Sequence, residues 1–417
     1  MKILGVILKQ TFWQIVGKVV TSVSTFIILG IIARNYHEAG TGIFTLALTY
    51  LAMFNLLADF GFNAHVLKKV TAGPQGGGLQ VTEEWNKLLG TRILWSIVLV
   101  FLAIATLPFW PFATNDFSKA VVFGGLAIVG SGIFITCNLI FQSKLRYDFS
   151  VLASSLGTIM GLVTYIFLSS QGFSISLLLI AYSLSWIIIA ICSLLLVKKF
   201  LKNIVPIFNY EYAKSLFKDS WPIAATLGLN VVYFRIDSFM IAYFKGISDV
   251  GIYNIAYSIF QSVLVLPTFI MNSYYPLMLK SLSHLRLIAI ALTGLALITS
   301  LLIFVLAPEL INVLTKGGFA GAAISLQILS LSFPAFFLSS LFMWLMLTKG
   351  QYKRMLIIYT LGLIINLTLN FILIPKYSFY GASWVTVVSE YLVLIMQILV
   401  YNLWDETGYI YRWCIKR

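Results

Sequence analysis

Charge is scarce in this sequence. Only 10% of its 417 residues are Asp, Glu, Lys or Arg, while 60% are hydrophobic. Soluble globular chains carry about 25% charged residues, so water cannot be the only solvent here. Alternation of period two is missing, which excludes a closed β-barrel with its strands of about 9–11 alternating residues. The apolar residues fall instead in unbroken blocks of roughly 20, the length that crosses a hydrocarbon core of about 30 Å. Residues 11–33 and 177–197 are clear examples. The first block reaches full spanning length and is expected to be retained as a helix rather than cleaved.

Other scarcities narrow the chemistry. Cys137, Cys192 and Cys414 lie in or beside apolar segments without CxxC spacing, which implies neither a disulfide framework nor a zinc site. His37, His65 and His284 are scattered, and neither HExxH nor the GxxxxGK[ST] phosphate loop occurs. No nucleophile–base arrangement stands out, and the outer loops are short. The reading is a membrane protein that is not an enzyme, with no catalytic residue, no metal and no cofactor.

Twelve spanning helices are expected, at 11–33, 41–60, 92–112, 118–142, 150–170, 174–197, 220–243, 250–274, 287–308, 322–346, 355–374 and 379–402. Pro108, Pro111, Pro308 and Pro375 mark ends, and Asp219-Ser220-Trp221-Pro222 reads as a helix start with a cap and an early proline. The segment 204–218 sets Phe208, Tyr212 and Leu216 against Glu211, Lys214 and Lys218; it suits a surface helix on the membrane or a solvated linker. With a cytoplasmic N-terminus, 21 of the 28 Lys and Arg residues fall on the inner side and 5 on the outer side. The remaining two, Lys18 and Arg235, lie well inside spans rather than at their ends. This asymmetry orients the chain with both termini inside. The net charge of +14 therefore expresses topology and contact with anionic lipid, not nucleic-acid binding.

The two halves echo one another. At an offset of 209 residues, Ile32-Ala33 matches Ile241-Ala242, Gly42-Ile43-Phe44 matches Gly251-Ile252-Tyr253, and Ala47 matches Ala256. At an offset of 205, Lys144, Tyr147 and Leu156-Gly157 match Lys349, Tyr352 and Leu361-Gly362. Six spans per half is an even number, so both halves enter from the same side. The expectation is an all-α membrane protein of two six-helix halves, 1–198 and 220–417, joined by a cytoplasmic amphipathic linker at 199–219. A parallel repeat of this kind is a transporter architecture.

Charges at the bilayer centre are costly and mark cavities or partners. Lys18 has Gln14, Ser22 and Thr25 at helical spacing, and Asp237 continues a stripe through Thr226, Asn230 and Tyr233. Glu390 shares a face with Ser383, Thr386 and Gln397, while Gly362, Asn366 and Asn370 form a further stripe. Asn55 and Asp59 form another, read as near the outer end of the second span. Such stripes either bond helix to helix or line a hydrated cavity. Arg235 lies about 200° around its helix from Asp237 and is expected to be structural, as is Arg34. Pro267 and Pro334 break the helical ladder and make either hinges or static kinks.

Several of these residues carry a family resemblance. Gln10, Ile32-Ala33-Arg34, Gly42-Ile43-Phe44 and Asp59-Phe60-Gly61 resemble the first hairpin of Wzx-type polysaccharide flippases. Arg235-Ile236-Asp237 with Val250-Gly251-Ile252-Tyr253 resembles their seventh and eighth spans. These flippases, like the MATE multidrug transporters, belong to the multidrug/oligosaccharidyl-lipid/polysaccharide (MOP) exporter superfamily. The resemblance implies flipping of a polyprenyl-pyrophosphate-linked oligosaccharide, such as an O-antigen unit, from the inner to the outer leaflet of a bacterial or archaeal cytoplasmic membrane. It implies a polymerase or glycosyltransferases as further candidate partners. Lys18 would contact the pyrophosphate, with Gln14, Thr25, Asn230, Asn366 and Asn370 as further substrate contacts. Asp237 and Glu390 would be the sites of a coupling proton or sodium ion. Arg34, Asp59, Arg235, Pro267 and Pro334 would be structural or gating. A MATE-like drug/cation antiporter and a non-transporting scaffold for glycan assembly are the competing readings.

Overall fold

The structure is a computed structural model. It describes the backbone of residues 2–63, 66, 78–144, 146–279, 281–282 and 284–404. Side chains are described for the same residues except 2–11, 78–81, 226–227, 229–232, 272–273, 276–277, 320 and 401–404. The expectations for Gln10, Thr226 and Asn230 fall outside the described side chains.

Every regular element among the described residues is helical. Among the described residues, eight helices are long and apolar enough to cross a membrane, or nine if one pair bent by 43° counts as a single span. That count is lower than the expected twelve, and it counts α1 and α13 once each although both contain a break. The chain is a multi-pass helical membrane protein, and it divides into two compact units, Met1–Arg235 and Ile236–Arg417.

The first unit opens with α1 (Lys2–Asp59), which breaks at His37, where φ is 56° and ψ is −165°. It continues through α2 (Gly78–Ala105), α3 (Asn115–Gly124), α4 (Leu126–Ser143), α5 (Tyr147–Ser170) and α6 (Ile175–Val197). Small residues let these helices approach closely, as packing between lipid-exposed helices requires. A Cβ on Gly157 of α5 would meet Ser185 O of α6 at 2.7 Å, and Ser185 Oγ donates to Gly157 O at 2.9 Å. Trp85, Leu88, Leu89, Phe141, Val197 and Leu216 form a buried cluster at one end of the unit.

Helix α7 (Tyr210–Phe244) corrects the expected start at Asp219-Ser220-Trp221-Pro222. Asn209 caps it, accepting from Tyr212 N at 2.8 Å. Pro222 therefore lies inside the helix. The expected surface helix over 204–218 is helical only from Tyr210, and its Leu216 is buried in the unit's core rather than turned to lipid.

The second unit contains α8 (Ile247–Val263), α9 (Val265–Met278), α10 (Leu285–Thr315), α11 (Ala320–Ser330), α12 (Phe333–Thr348) and α13 (Tyr352–Trp404). Pro308 does not end its helix as expected; α10 runs to Thr315 and stops at Lys316 in the left-handed region. Pro375 also lies inside a helix, and the chain breaks three residues later at Ser378, where φ is 52° and ψ is −135°. Three side-chain pairs show what this break does: Asn370 and Thr386 reach the same carboxylate, Asn366 bonds Ser389, and Tyr359 bonds Gln397. Each pair is centred within one residue of Ser378, so α13 folds back as a helical hairpin.

The internal matches have structural counterparts. His37 and Gly246, 209 residues apart, both have positive φ. Helices α3 and α11 begin 205 residues apart, as do α5 and α13, and both the α3–α4 and α11–α12 runs are interrupted after ten or eleven residues.

Candidate functional site

The second unit gathers a buried polar cluster around Asp237 of α7. The turn at Gly246, with φ of 101°, folds α8 back beside α7. Residues sixteen apart then meet: Tyr253 OH donates to Asp237 Oδ2 at 2.8 Å, and Ser238 Oγ donates to Asn254 Oδ1 at 2.8 Å. The α13 hairpin supplies the other side. Asn370 Nδ2 donates to Asp237 Oδ1 at 2.6 Å and is also 3.0 Å from Asn366 Oδ1. From the second arm, Thr386 Oγ1 lies 3.5 Å from Asp237 Oδ2. Asn366 Nδ2 reaches Ser389 Oγ at 3.4 Å.

Among the described residues the hydrogen-bond partners of Asp237 are all uncharged donors. Asn370 Oδ1 is buried without a hydrogen-bond partner among the described residues. A carboxylate, two amide oxygens and a hydroxyl make a hard oxygen donor set, suited to a hard cation rather than to a soft transition metal. Among the described residues no group of three or more His, Cys, Asp or Glu could hold a metal ion.

The sequence stripes are thus brought together in part. Asp237, Asn366, Asn370 and Thr386 share one cluster. Glu390 is buried on the second arm of α13, the arm whose Gln397 bonds Tyr359 OH at 3.3 Å. On α1, Lys18, Gln14 and Thr25 are exposed, and Thr25 Oγ1 donates to Thr21 O at 2.9 Å. Arg34 is exposed and Arg235 is half-buried. Pro267 is the third residue of α9, just after the α8–α9 junction. Pro334 is the second residue of α12, on the far side of the 43° bend.

One charged site was missed. Arg92 was counted among inner loop residues, but it lies inside α2 with 0% exposure. Its Nη1 donates to Asn63 Oδ1 at 2.8 Å and Thr136 Oγ1 at 2.9 Å, and its Nη2 donates to Asp59 O at 3.2 Å. Asp59 Oδ1 is 3.6 Å from Nη2. Asp59 is the last residue of α1. Two of the expected spans precede it, so on that expectation it belongs to the N-terminal side and not to an outer end. The available signal was helical spacing: Trp85, Leu88, Leu89, Arg92 and Ser96 make one buried face. The expected span 92–112 opens on Arg92, which makes the cation a span-end residue, whereas the helix runs from Gly78.

Close to it, Asn55 bridges α1, α4 and α6. Its Nδ2 donates to Tyr182 OH at 3.1 Å, and its Oδ1 accepts from Ser131 Oγ at 3.0 Å. This Asn bonds helix to helix, as the plainer of the two readings of such stripes expects.

The profile of a family described as polysaccharide biosynthesis protein matches residues 7–282. No curated protein matches the sequence. Among solved structures, a lipid II flippase MurJ in an inward closed conformation aligns with a TM-score of 0.74 and 14% identity, over 95% of this chain and 87% of that one. An inward-facing multidrug resistance MATE family transporter of the MOP superfamily aligns with a TM-score of 0.71 and 14% identity, over 92% and 94%. A MOP superfamily transporter from Pyrococcus furiosus aligns with a TM-score of 0.60 and 15% identity, over 95% of each chain. At such identities the likeness is one of fold.

Proposed function

This chain belongs to the polysaccharide biosynthesis protein family, and on that premise we propose that it flips a polyprenyl-pyrophosphate-linked oligosaccharide from the inner to the outer leaflet by alternating access. The family match over residues 7–282 carries this reading. The substrate has an anionic head, polar sugars and a long apolar tail. Lys18, exposed on α1, supplies a cation for the pyrophosphate, with Gln14 and Thr25 beside it and Asn230 on α7. The sugars need hydrated polar groups, while the tail stays in lipid.

In this reading the Asp237 cluster holds the coupling cation, sodium or a proton. Its oxygen donors and the unpartnered Asn370 Oδ1 support that role. Glu390 is a second candidate on the same hairpin. The bends beside Pro267 and Pro334 are the flexing points.

The proposed topology has twelve crossings. A straight helix of 48 residues would be about 72 Å long, more than twice the hydrocarbon core. Read as two crossings each, α1 and α13 keep both termini cytoplasmic. Impermeant thiol labelling checks this: a cysteine at Lys376 should react from outside, and a cysteine at Lys202 only from inside.

The deciding experiment uses purified full-length protein in liposomes with a labelled pyrophosphate-linked oligosaccharide. Flipping should appear as lectin access at the opposite leaflet and should respond to a sodium or proton gradient. Extrusion of a cationic dye without glycolipid translocation would favour the drug antiporter, whose fold is nearly as similar. Neither activity, with intact glycan assembly requiring the protein, would favour the scaffold.

A further inference from the structure

We propose that the 198–210 segment of the first unit, with Arg146, forms a binding site for an anionic phospholipid of the cytoplasmic leaflet. Its residues are other than the substrate and ion groups above.

Its polar half is built on one aromatic ring. Arg146 Cζ sits 4.1 Å from the centroid of Phe149, and Lys199 Nζ sits 5.2 Å from the same centroid. Phe149 is wedged between Phe141 and Phe200, so the ring is a fixed platform. Two cations on one ring repel each other. Asp148 answers Arg146 through a two-point contact, Nε to Oδ1 at 2.9 Å and Nη2 to Oδ2 at 2.7 Å. Lys144, Lys198 and Lys202 are exposed and add further positive charge at the same helix ends. An anionic headgroup relieves this repulsion.

Its apolar half is a pinned strap. Asn203 has φ of 56°, and residues 204–209 after it have no regular structure and lie against α2. Asn86 holds the strap's backbone from three sides: its Nδ2 donates to Asn203 O at 3.0 Å, its Oδ1 accepts from Val205 N at 3.2 Å, and its carbonyl accepts from Ile207 N at 3.0 Å. Gly90 permits the approach, since a Cβ there would stand 2.3 Å from Ile207 O. With the backbone spent inward, Val205 (54% exposed), Phe208 (53%) and Tyr210 (65%) face outward.

Apolar and aromatic groups next to clustered lysines fit the boundary between acyl chains and anionic headgroups. A second copy of this chain, itself carrying +14, would add like charge to the patch. The complement is therefore an anionic lipid, with the phosphate beside Arg146 and Lys199 and the glycerol and acyl region along the strap.

The test is native mass spectrometry of the full-length protein in detergent, titrated with phosphatidylglycerol or phosphatidylcholine. The native protein should retain phosphatidylglycerol in preference. Lys199→Gln with Lys202→Gln should weaken that binding more than tenfold, at about fivefold per charge, and leave phosphatidylcholine unchanged. Phe208→Ser should weaken both lipids, and Lys353→Gln neither. Arg146→Gln gives the same readout should the double variant fail to fold. Equal retention of the two lipids, or native-like phosphatidylglycerol binding by the charge variants, overturns the proposal. So does displacement of phosphatidylglycerol by millimolar inorganic pyrophosphate, which would make the patch a station for the substrate's headgroup.

Discussion

Asn370 donates to the carboxylate of Asp237 across 2.6 Å, although the two lie 133 residues apart. The turn of α13 at Ser378, whose hydroxyl donates to Asp249 at the start of α8, brings Thr386 to the same carboxylate. A buried carboxylate whose described partners are all neutral donors keeps an unbalanced charge in low dielectric, and a bound cation or proton would balance it. Asp237→Asn keeps the shape and removes the charge. It should accumulate normally, and its flipping rate in liposomes should fall by about tenfold or more and lose its response to ion gradients. An unchanged ion response would remove Asp237 from the coupling role.

Arg92 should be a stability residue. Its guanidinium serves three acceptors in a fork geometry and sits over Phe62 at 5.4 Å. Lysine cannot reproduce that fork. Arg92→Lys and Arg92→Met should therefore both lower the melting temperature in detergent. The expected loss is on the order of 1–3 kcal/mol, because the acceptors at Asn63, Thr136 and the Asp59 carbonyl lose their donor. Asp59→Asn leaves the wholly buried guanidinium without its carboxylate, so it should cost at least as much. Equal melting of Arg92→Met and native protein would contradict this account.

Two glycines separate close packing from mere flexibility. At Gly157 a Cβ would stand 2.3 Å from Ile189 Cγ1 as well as against the Ser185 carbonyl, so α5 and α6 would have to move apart. Gly157→Ala should destabilise by about 1–3 kcal/mol. At Gly294 in α10 nothing lies within 4 Å of the added atom. Gly294→Ala should be neutral or stabilise by up to about 1 kcal/mol, because alanine loses less backbone entropy in a helix. Thermal melts of the two variants in one detergent give the comparison.

The fold class was legible because lipid imposes one rule on every span: about twenty apolar residues with their backbone bonds satisfied internally. Helix ends were less legible. Pro222, Pro308 and Pro375 look like breakers, yet packing carries the helix past each of them. The true breaks fall at His37 and Ser378, residues without a strong turn signature, and the latter is held by a distant partner, Asp249. In the site, Asp237, Asn366, Asn370 and Thr386 were visible as stripes of spacing three and four. Their convergence was not, since a stripe gives a face and not its neighbour. Arg92 was hidden because a cation near a span end looks like a loop residue.

Lys18 offers the sharpest test of substrate contact. It is exposed on α1, on one face with Gln14, Thr21 and Thr25 at helical spacing. The threonine hydroxyls donate to Gly17 O and Thr21 O of their own helix, so the lysine is the group on this face with a full charge to offer. Replacing an exposed side chain removes little packing, and all variants should fold and reach the membrane. If Lys18 meets the pyrophosphate, Lys18→Arg should keep most of the flipping and Lys18→Gln should lose it, with the apparent affinity for the glycolipid falling more than the protein level. A rival account pairs Lys18 with Asp237 or Glu390 as a brace. That account predicts a different pattern: Lys18→Gln would leave a carboxylate uncompensated and lower the melting temperature, and adding Asp237→Asn or Glu390→Gln would restore it. Rescue in the double variant, or full flipping by Lys18→Gln alone, would remove the substrate-contact role.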